Sequence, residues 1–216
     1  MLRVVLTLSL PLDDQLRTAV SAIRDGLVVA FPTDTLYGLA VDPRSSEALR
    51  RLMRLKGRDE TKTIGLVAAD AGQVSDLVHV DATSARVASQ FWPGPLTLLL
   101  PARGILPASV VGENGLVGVR VPRHPVALAL ARLAGHALTA TSANASGQPA
   151  TADPDEVARQ LPGVDVLVDA GLLAGGAAST IVDVTGTPAR LVREGAVPWD
   201  RVLESVGSAA PDSTSQ

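Results

Sequence analysis

The stretch Phe31-Pro-Thr-Asp-Thr-Leu-Tyr-Gly-Leu39 follows the apolar run from Gly26 to Ala30 and precedes a helical pattern that ends in Lys56-Gly57-Arg58. Its proline lacks a backbone N–H and therefore marks the end of a buried strand. Two threonines, a carboxylate and the only tyrosine of the chain follow that proline. Polar side chains at the end of a buried strand indicate a site for a small polar ligand. The basic residues farther along indicate an anion beside it, phosphate above all.

Short aliphatic runs alternate with amphipathic segments along the rest of the chain, and no linker separates two cores. This pattern predicts one α/β domain over residues 1–206. We expect the tail 207–216 to be disordered, because it has little apolar surface to bury. The predicted helices cover about 13–25, 45–56, 71–77, 83–91 and 126–134, a segment that begins at 153, and 198–206. The predicted strands cover 27–31, 64–69, 96–100, 116–121, 138–141, 166–168, 180–184 and 189–192.

The composition limits the possible functions. With 216 residues, 46% of them hydrophobic, the chain can fill one sizeable core. Its net charge of −3 argues against a surface that binds nucleic acid throughout, although it permits a local basic patch. The absence of cysteine excludes disulfides, thiolate nucleophiles and cysteine-ligated metals. Neither a convincing signal peptide nor an apolar run of about 18 residues occurs, so we expect a soluble cytoplasmic protein with no membrane span.

Several segments could bind an anion, and each also has an ordinary structural explanation. The run from Gly57 to Thr63 lacks the second glycine of a P-loop, so side chains would have to hold a nucleotide. The cations at positions 50, 51, 54, 56, 58 and 62 could do so, or they could form a solvated helix face and helix end. The turn from Thr141 to Gly147 offers hydroxyls and amides to a phosphate, or it bonds only to its own backbone.

Arg120 lies in the aliphatic run Val117-Gly-Val-Arg-Val-Pro122, where its permanent charge requires an anionic partner. That partner is either a structural Asp or Glu or a substrate carboxylate held by the guanidinium fork. Arg193, at the end of a late strand, presents the same two alternatives. The three histidines match no zinc pattern, and no Gly-x-Ser-x-Gly motif occurs. Catalysis is therefore expected to depend on positioning and charge stabilisation.

Taken together, these segments resemble the YrdC/Sua5 family of threonylcarbamoyl-AMP synthases over about residues 12–197, in its short form without an additional C-terminal domain. The resemblance implies a single YrdC-like α/β domain with a twisted mixed β-sheet, flanking helices and a concave substrate cleft. Its motifs occur in the family's order: Phe31 to Leu39, Lys56-Gly-Arg58 with Lys62, Trp92-Pro-Gly-Pro-Leu-Thr97, Val119-Arg-Val-Pro122 with His124-Pro125, Ser142-Ala-Asn144 with Ser146-Gly147, Ser179-Thr180 with Asp183, and Arg193.

This resemblance implies a nucleotidyltransferase that converts L-threonine, bicarbonate and ATP to threonylcarbamoyl-AMP, pyrophosphate and water. The product serves the N6-threonylcarbamoyl modification of adenosine 37 in tRNA. The cofactor implied is Mg²⁺, which accompanies ATP, and no protein ligand to a metal is predicted. A downstream threonylcarbamoyl transferase complex is the implied partner, and direct binding of tRNA or double-stranded RNA is a further expectation.

The resemblance also implies roles for particular residues. A threonine-binding segment that includes Thr33, Thr35 and Tyr37 could meet the substrate's hydroxyl and methyl groups, and Arg120 would bind its carboxylate. The joint catalytic set implied is Lys56, Arg58, Ser142 and Asn144. The ATP ligands implied are Arg58, Lys62, Ser142 and Arg193. The L-threonine ligands implied are Thr35, Arg120, Ala140 through its backbone, and Ser179.

Two other functions compete with this interpretation. The basic residues from Arg50 to Lys62 also suit an RNA-binding or ribosome-maturation module, which would bind RNA less tightly as salt increases. The acidic net charge and the 2% aromatic content weaken that alternative. A carbamoyl-transfer role in hydrogenase maturation is the third possibility. It is disfavoured because the chain lacks zinc-finger cysteines and an acylphosphatase-like domain.

Overall fold

The computed structural model describes residues 1–7, 9–57 and 64–207, and all structural statements refer to these ranges. The helices are α1 Leu12–Gln15, α2 Arg17–Arg24, α3 Ser46–Lys56, α4 Ala71–Leu77, α5 Ala82–Phe91, α6 Pro125–Ala134, α7 Pro154–Gln160 and α8 Trp199–Gly207. The strands are β1 Leu2–Val5, β2 Val29–Pro32, β3 Tyr37–Ala40, β4 Leu66–Val67, β5 Leu96–Pro101, β6 Leu116–Arg120, β7 Leu138–Thr139, β8 Thr141–Ser142, β9 Val166–Asp169, β10 Thr180–Asp183 and β11 Arg190–Arg193.

Hydrogen bonds join the described strands into two mixed sheets. The first sheet has the order β1-β9-β2-β3-β8, and the second has the order β11-β10-β5-β6-β4-β7. The predicted strand at 138–141 is divided between them, because β7 pairs with β4 in the second sheet whereas β8 pairs with β3 in the first. Ala140 is therefore the point at which the chain passes from one sheet to the other.

The predicted α/β class is confirmed, and most helices begin where the sequence places them. The side chain of Ser45 accepts a hydrogen bond from the Ala48 amide at the start of α3. Gly57 ends this helix in the left-handed conformation, with φ of 59°. Helix α8 ends at Gly207, and residues 208–216 lie outside the described ranges, so the proposed bounds of the domain and tail stay a prediction.

The sequence-based prediction missed strands β1 and β3. Strand β1 lies at the edge of its sheet and is mostly exposed, so it shows no apolar alternation. Strand β3 lies inside the opening motif and pairs antiparallel with β2, with Phe31 opposite Gly38. A Cβ atom at Gly38 would lie 3.3 Å from the Phe31 ring, so a glycine permits this close pairing. The polar segment between β2 and β3 is therefore the turn of a buried hairpin.

Two clusters of buried apolar residues stabilise the fold. In the smaller cluster, α2 and α6 pack beside β2 and β9 and bury Ile23, Phe31 and Leu130 completely. Burying a side chain of this size contributes about 1.5–3 kcal/mol. The larger cluster includes Leu49 and Leu52 of α3. Among the described helices, none has both the length and the apolar character that crossing a bilayer requires.

Candidate active site

A cavity of about 550 Å³ opens where the two sheets meet. Its wall includes the turn between β2 and β3, the ends of β6 and β11, the crossing point between β7 and β8, and the loop before β10. Six of the predicted site residues line this single cavity: Thr35, Arg120, Ala140, Ser142, Ser179 and Arg193. Residues up to 158 positions apart in the sequence, 35 and 193, are thus brought to one site.

The turn between β2 and β3 presents Thr35 to the cavity. Thr33 Oγ1 donates a hydrogen bond of 2.7 Å to the Leu36 carbonyl and so closes the turn. Thr35 is only 7% exposed, and its hydroxyl has no hydrogen-bond partner among the described residues. Because this hydroxyl lines the cavity and is not used by the fold, it is suited to receive a polar atom of a ligand.

Tyr37 anchors the same motif to the other strands of the sheet. Its hydroxyl donates to the Gly171 carbonyl at 2.8 Å and accepts from the Ala170 amide at 3.1 Å. Burial raises the pKa of Tyr37 to about 12. The hydroxyl therefore stays neutral and bonded to backbone, which leaves Thr35 rather than Tyr37 as the hydroxyl that the motif offers to a ligand.

Asp34 joins the turn to the beginning of α6. Its Oδ1 atom accepts hydrogen bonds from the backbone amides of Arg123 and His124, at 2.7 and 2.5 Å. Its Oδ2 atom is buried and has no partner among the described residues. Burial lowers the pKa of His124, and the charge of Asp34 opposes that change. Asp34 thus holds the Thr35 turn against the segment that follows β6.

Arg120, at the end of β6, is 7% exposed and lines the cavity. Its side chain makes no hydrogen bond or ion pair with any residue in the described ranges. Burial lowers its pKa, the charge of Asp34 opposes this change, and the charge of Arg193 adds to it. A guanidinium nevertheless stays protonated in proteins, so Arg120 is a buried cation without a direct partner. The structure therefore favours a ligand anion over a structural carboxylate as its counterpart.

Ser179 and Arg193 are held together in the wall of the same cavity. The Arg193 guanidinium donates to the Ser179 carbonyl at 2.7 and 3.2 Å and to the Ser179 hydroxyl at 3.1 Å. Thr97 also donates to the Ser179 hydroxyl, at 3.0 Å. The sequence-based analysis missed Thr97 as a site residue, because one threonine in an aliphatic strand is ordinary strand composition.

Lys56 organises the segment that contains Ser142 and Asn144. It is 4% exposed, and its Nζ atom donates to the carbonyls of Ser142 and Asn144, at 3.0 Å for the latter. Asn144 Nδ2 donates to two backbone carbonyls, whereas the buried Oδ1 atom has no partner among the described residues. The predicted set of Lys56, Ser142 and Asn144 is therefore contiguous. The fourth predicted member, Arg58, lies outside the described residues, as does the predicted ATP ligand Lys62.

Two charged residues singled out in the sequence serve structural pairs. Asp183, 2% exposed, accepts hydrogen bonds from Thr185 and from Arg190 at 2.6 Å. Burial would raise the pKa of Asp183, but these hydrogen bonds outweigh it and the pKa is lowered. On α3, Arg51 pairs with Asp165 at 2.5 Å. One cation of the basic face of α3 is thus already paired with a carboxylate of the protein.

Gly195 supports the Ser179 loop in a way that no sequence signal revealed. The Ala196 amide donates to the Ala178 carbonyl at 2.9 Å, which brings the two segments into contact. A Cβ atom at Gly195 would lie 2.1 Å from the Ala178 oxygen and 2.7 Å from the Ser179 carbonyl carbon. Only a glycine permits this approach, since a contact under 3 Å would force the backbone to move.

The polar groups that line the cavity are hydroxyls, backbone groups and guanidinium groups, with no carboxylate among the described lining residues. Within the described ranges, no group of three or more His, Cys, Asp or Glu side chains could hold a metal ion. This donor set suits anions, because hydroxyls and guanidinium groups are hydrogen-bond donors.

Comparison with known proteins assigns a family to this arrangement. Residues 21–195 match the Sua5/YciO/YrdC family model, whose description is "Telomere recombination". The chain is 34% identical over 195 residues to the threonylcarbamoyl-AMP synthase of Pyrococcus abyssi, covering 89% of this chain and 57% of that protein. It is 42% identical over 150 residues to the threonylcarbamoyl-AMP synthase of Methylococcus capsulatus, covering 68% and 80% respectively.

A solved structure supports the same relationship. The crystal structure of P. abyssi Sua5 complexed with L-threonine superposes with a TM-score of 0.88 at 32% identity and covers 95% of this chain and 60% of that one. The chain therefore spans less than two thirds of the length of the P. abyssi protein.

Proposed function

The chain belongs to the Sua5/YciO/YrdC family, and from that membership we propose that it is an L-threonylcarbamoyladenylate synthase. Its reaction would combine L-threonine, bicarbonate and ATP into threonylcarbamoyl-AMP, pyrophosphate and water. The observation that carries this proposal is Arg120, a buried cation with no direct partner among the described residues, in the same cavity as the unpartnered hydroxyl of Thr35. A small molecule with both a carboxylate and a hydroxyl complements these two groups.

The threonine side of the cavity would be formed by Arg120, Thr35, Ser179 and the backbone of Ala140. In this proposal, the guanidinium of Arg120 binds the amino-acid carboxylate through two parallel hydrogen bonds. Thr35 meets the threonine hydroxyl. A buried polar partner rejects an analogue without that hydroxyl more strongly than an apolar pocket rejects a change of size.

The nucleotide side would be formed by Arg193, Ser142 and the segment that Lys56 holds. Arg193 lines the same cavity as Arg120, and its charge contributes to the lowered pKa of Arg120. A cavity of about 550 Å³ falls within the range of about 300–1,000 Å³ for small-molecule sites. Arg58 and Lys62 are proposed as further ATP ligands, on the basis of the sequence motif.

The chemistry requires no protein nucleophile. The threonine amine adds to bicarbonate to give a carbamate and water. A carbamate oxygen then attacks the α-phosphate of ATP, the bond to the bridging oxygen breaks, and pyrophosphate leaves. The proposed contribution of Lys56, Arg58, Ser142 and Asn144 is to position the nucleotide and stabilise the negative charge that develops on its phosphates.

Magnesium enters this proposal as part of the ATP substrate. The described residues offer no carboxylate at the cavity and no cluster of metal-ligating side chains, so they do not fit a resident metal ion. The phosphate oxygens of ATP are ligands that Mg²⁺ prefers, and the ion usually retains several waters. No residue of the described ranges is therefore assigned to Mg²⁺.

The proposed product would pass to a threonylcarbamoyl transferase complex that modifies adenosine 37 of tRNA, with the cytoplasm as the proposed location. The competing proposal, an RNA-binding module, depends on the basic residues from Arg50 to Lys62, of which Arg50 and Arg54 are exposed on α3. Because Arg51 pairs with Asp165, this face offers fewer cations for RNA than the sequence suggests. Affinity for tRNA that falls steeply with added salt would support the RNA-binding module.

Pyrophosphate release tests the enzymatic proposal. Purified protein with MgATP is expected to release pyrophosphate only when L-threonine and bicarbonate are both present. A matched reaction with L-2-aminobutyrate, which lacks only the hydroxyl of L-threonine, controls for that group. Release that is independent of either co-substrate would contradict the proposal, and so would equal rates with L-2-aminobutyrate and L-threonine.

A further inference from the structure

Ser179 has an unusual hydrogen-bond environment for a cavity residue. A hydroxyl group has one proton and two positions that accept hydrogen bonds. On Ser179, Thr97 Oγ1 donates at 3.0 Å and an Arg193 nitrogen donates at 3.1 Å. Both accepting positions are therefore filled, so the hydroxyl can interact with a further group only by donating its own proton.

Thr97 shares one hydrogen bond with Ser179, and both residues line the cavity. It is 7% exposed, and its hydroxyl has no other acceptor within hydrogen-bond distance among the described residues. The proton of Thr97 is satisfied by protein only when it points at Ser179. Arg193 cannot accept a hydrogen bond, so it donates in every arrangement. With Thr97 donating, the remaining proton, that of Ser179, can point into the cavity, which both residues line.

The group that accepts this proton is expected to be anionic. Arg193 contacts Ser179 directly, and the charge of Arg193 acts on Arg120 in the same cavity. Two guanidinium groups and a donating hydroxyl therefore line one cavity. A carboxylate suits the Ser179 proton better than a neutral acceptor does, because hydrogen bonds to a charged acceptor are about twice as strong.

We propose that Thr97 is a positioning residue for amino-acid binding: by donating to Ser179, it directs the Ser179 proton toward the carboxylate of bound L-threonine. The inference rests on the proposed function and adds to it a further residue in the wall of the same cavity. Arg193 is held independently, through two hydrogen bonds to the Ser179 carbonyl. A change at the Thr97 hydroxyl is therefore expected to leave the nucleotide side in place.

Thr97→Val removes the hydroxyl and keeps a β-branched residue that suits strand β5. Loss of one neutral hydrogen bond corresponds to roughly a 3- to 10-fold effect. We expect the KM for L-threonine to rise by this factor, while the KM for ATP stays unchanged. Thr97→Ser is the matched variant, because it retains the hydroxyl and removes the methyl group. It is expected to restore the wild-type KM for L-threonine.

A double-mutant cycle separates this role from simple packing. If Thr97 acts through Ser179, Thr97→Val has no further effect on the KM for L-threonine in a Ser179→Ala background. Multiplicative effects of the two substitutions would overturn the inference. Equal impairment of the Val and Ser variants would also overturn it, since the methyl group of Thr97 packs near Gly118 and packing alone would then explain the loss.

Two further outcomes have distinct meanings. A Thr97→Val variant that raises the KM for ATP but not for L-threonine would overturn the assignment to the amino-acid side. A wild-type protein that releases no pyrophosphate with threonine and bicarbonate would contradict the proposed function itself. In that case, calorimetric titration of wild type and Thr97→Val with L-threonine still tests the inference, because equal affinities, or no binding by either protein, would overturn it.

Discussion

Replacing Arg120 with methionine should weaken threonine binding and, in the absence of ligand, stabilise the fold. Arg120 is 7% exposed and makes no side-chain hydrogen bond or ion pair within the described residues. Its desolvation is therefore uncompensated until a carboxylate binds, although the charge of Asp34 offsets part of the cost. Methionine fills a similar space without a charge. Replacing buried charges with apolar side chains commonly stabilises proteins by about 1–4 kcal/mol.

Both effects can be given magnitudes. A gain of about 1 kcal/mol raises the Tm of a chain this long by about 2–4 °C, so Arg120→Met should melt at least about 2 °C above wild type. Hydrogen bonds to charged groups contribute about 1.5–3 kcal/mol, which corresponds to a rise in the KM for L-threonine of roughly 10- to 150-fold. Thermal melts with and without L-threonine, combined with pyrophosphate-release kinetics, measure both quantities on the same preparations.

Arg190→Met is the matched control, because Arg190 pairs with the buried carboxylate of Asp183 at 2.6 Å. This variant should lower the Tm, since it removes one donor from a buried carboxylate, and it should leave the KM for L-threonine unchanged. The reasoning on Arg120 would be refuted if Arg120→Met melted below wild type and retained a wild-type KM. That pair of results would identify Arg120 as a structural cation.

Three further changes test other parts of the site. Gly195→Ala would place a Cβ atom 2.1 Å from the Ala178 oxygen, so we expect a loss of about 1–3 kcal/mol in stability and impaired turnover. Gly186→Ala is the control, because its Cβ would have no neighbour closer than 4.0 Å, and it should leave the stability nearly unchanged in thermal melts. Equal losses of stability in the two variants would contradict the steric explanation for Gly195. Lys56→Met removes the charged donor to the carbonyls of Ser142 and Asn144. It should raise the KM for ATP by roughly tenfold or more and have less effect on the KM for L-threonine. A change confined to the KM for L-threonine would contradict the placement of Lys56 on the nucleotide side. Because the fold raises the pKa of Tyr37 to about 12, its neutral form contributes stability that is complete below pH ~10 and is lost as the pH rises toward about 12. The free energy of unfolding should decline less over that pH range for Tyr37→Phe than for wild type. Equal declines for the two proteins would contradict the raised pKa of Tyr37.

Local sequence patterns predicted the features that depend on neighbouring residues. The capping serine and terminal glycine of α3, the proline that opens α6 and the polar turn after β2 all involve contacts within a few positions. Such contacts follow from side-chain chemistry and backbone restriction at each position. The ordered motifs likewise indicated which residue types would meet an amino acid and a nucleotide.

The tertiary structure determined which of those residues are free to act on a ligand. The hydroxyls of Thr35 and Tyr37 belong to one motif, yet Tyr37 is bonded to backbone 133 and 134 positions away whereas Thr35 faces the cavity. Thr97 lies 82 positions from Ser179, and the parallel pairing of β5 with β10 is what brings them together.

The sequence by itself therefore determined the chemical character of the site and the α/β class of the fold. The partners of Arg120, Thr97 and Gly195 were decided only by the tertiary structure. The physical reason is that a strand's pattern records which positions are buried, whereas the register between strands distant in sequence determines which atoms meet. A buried cation without a partner looks the same in sequence as a paired one, and only the three-dimensional arrangement distinguishes them.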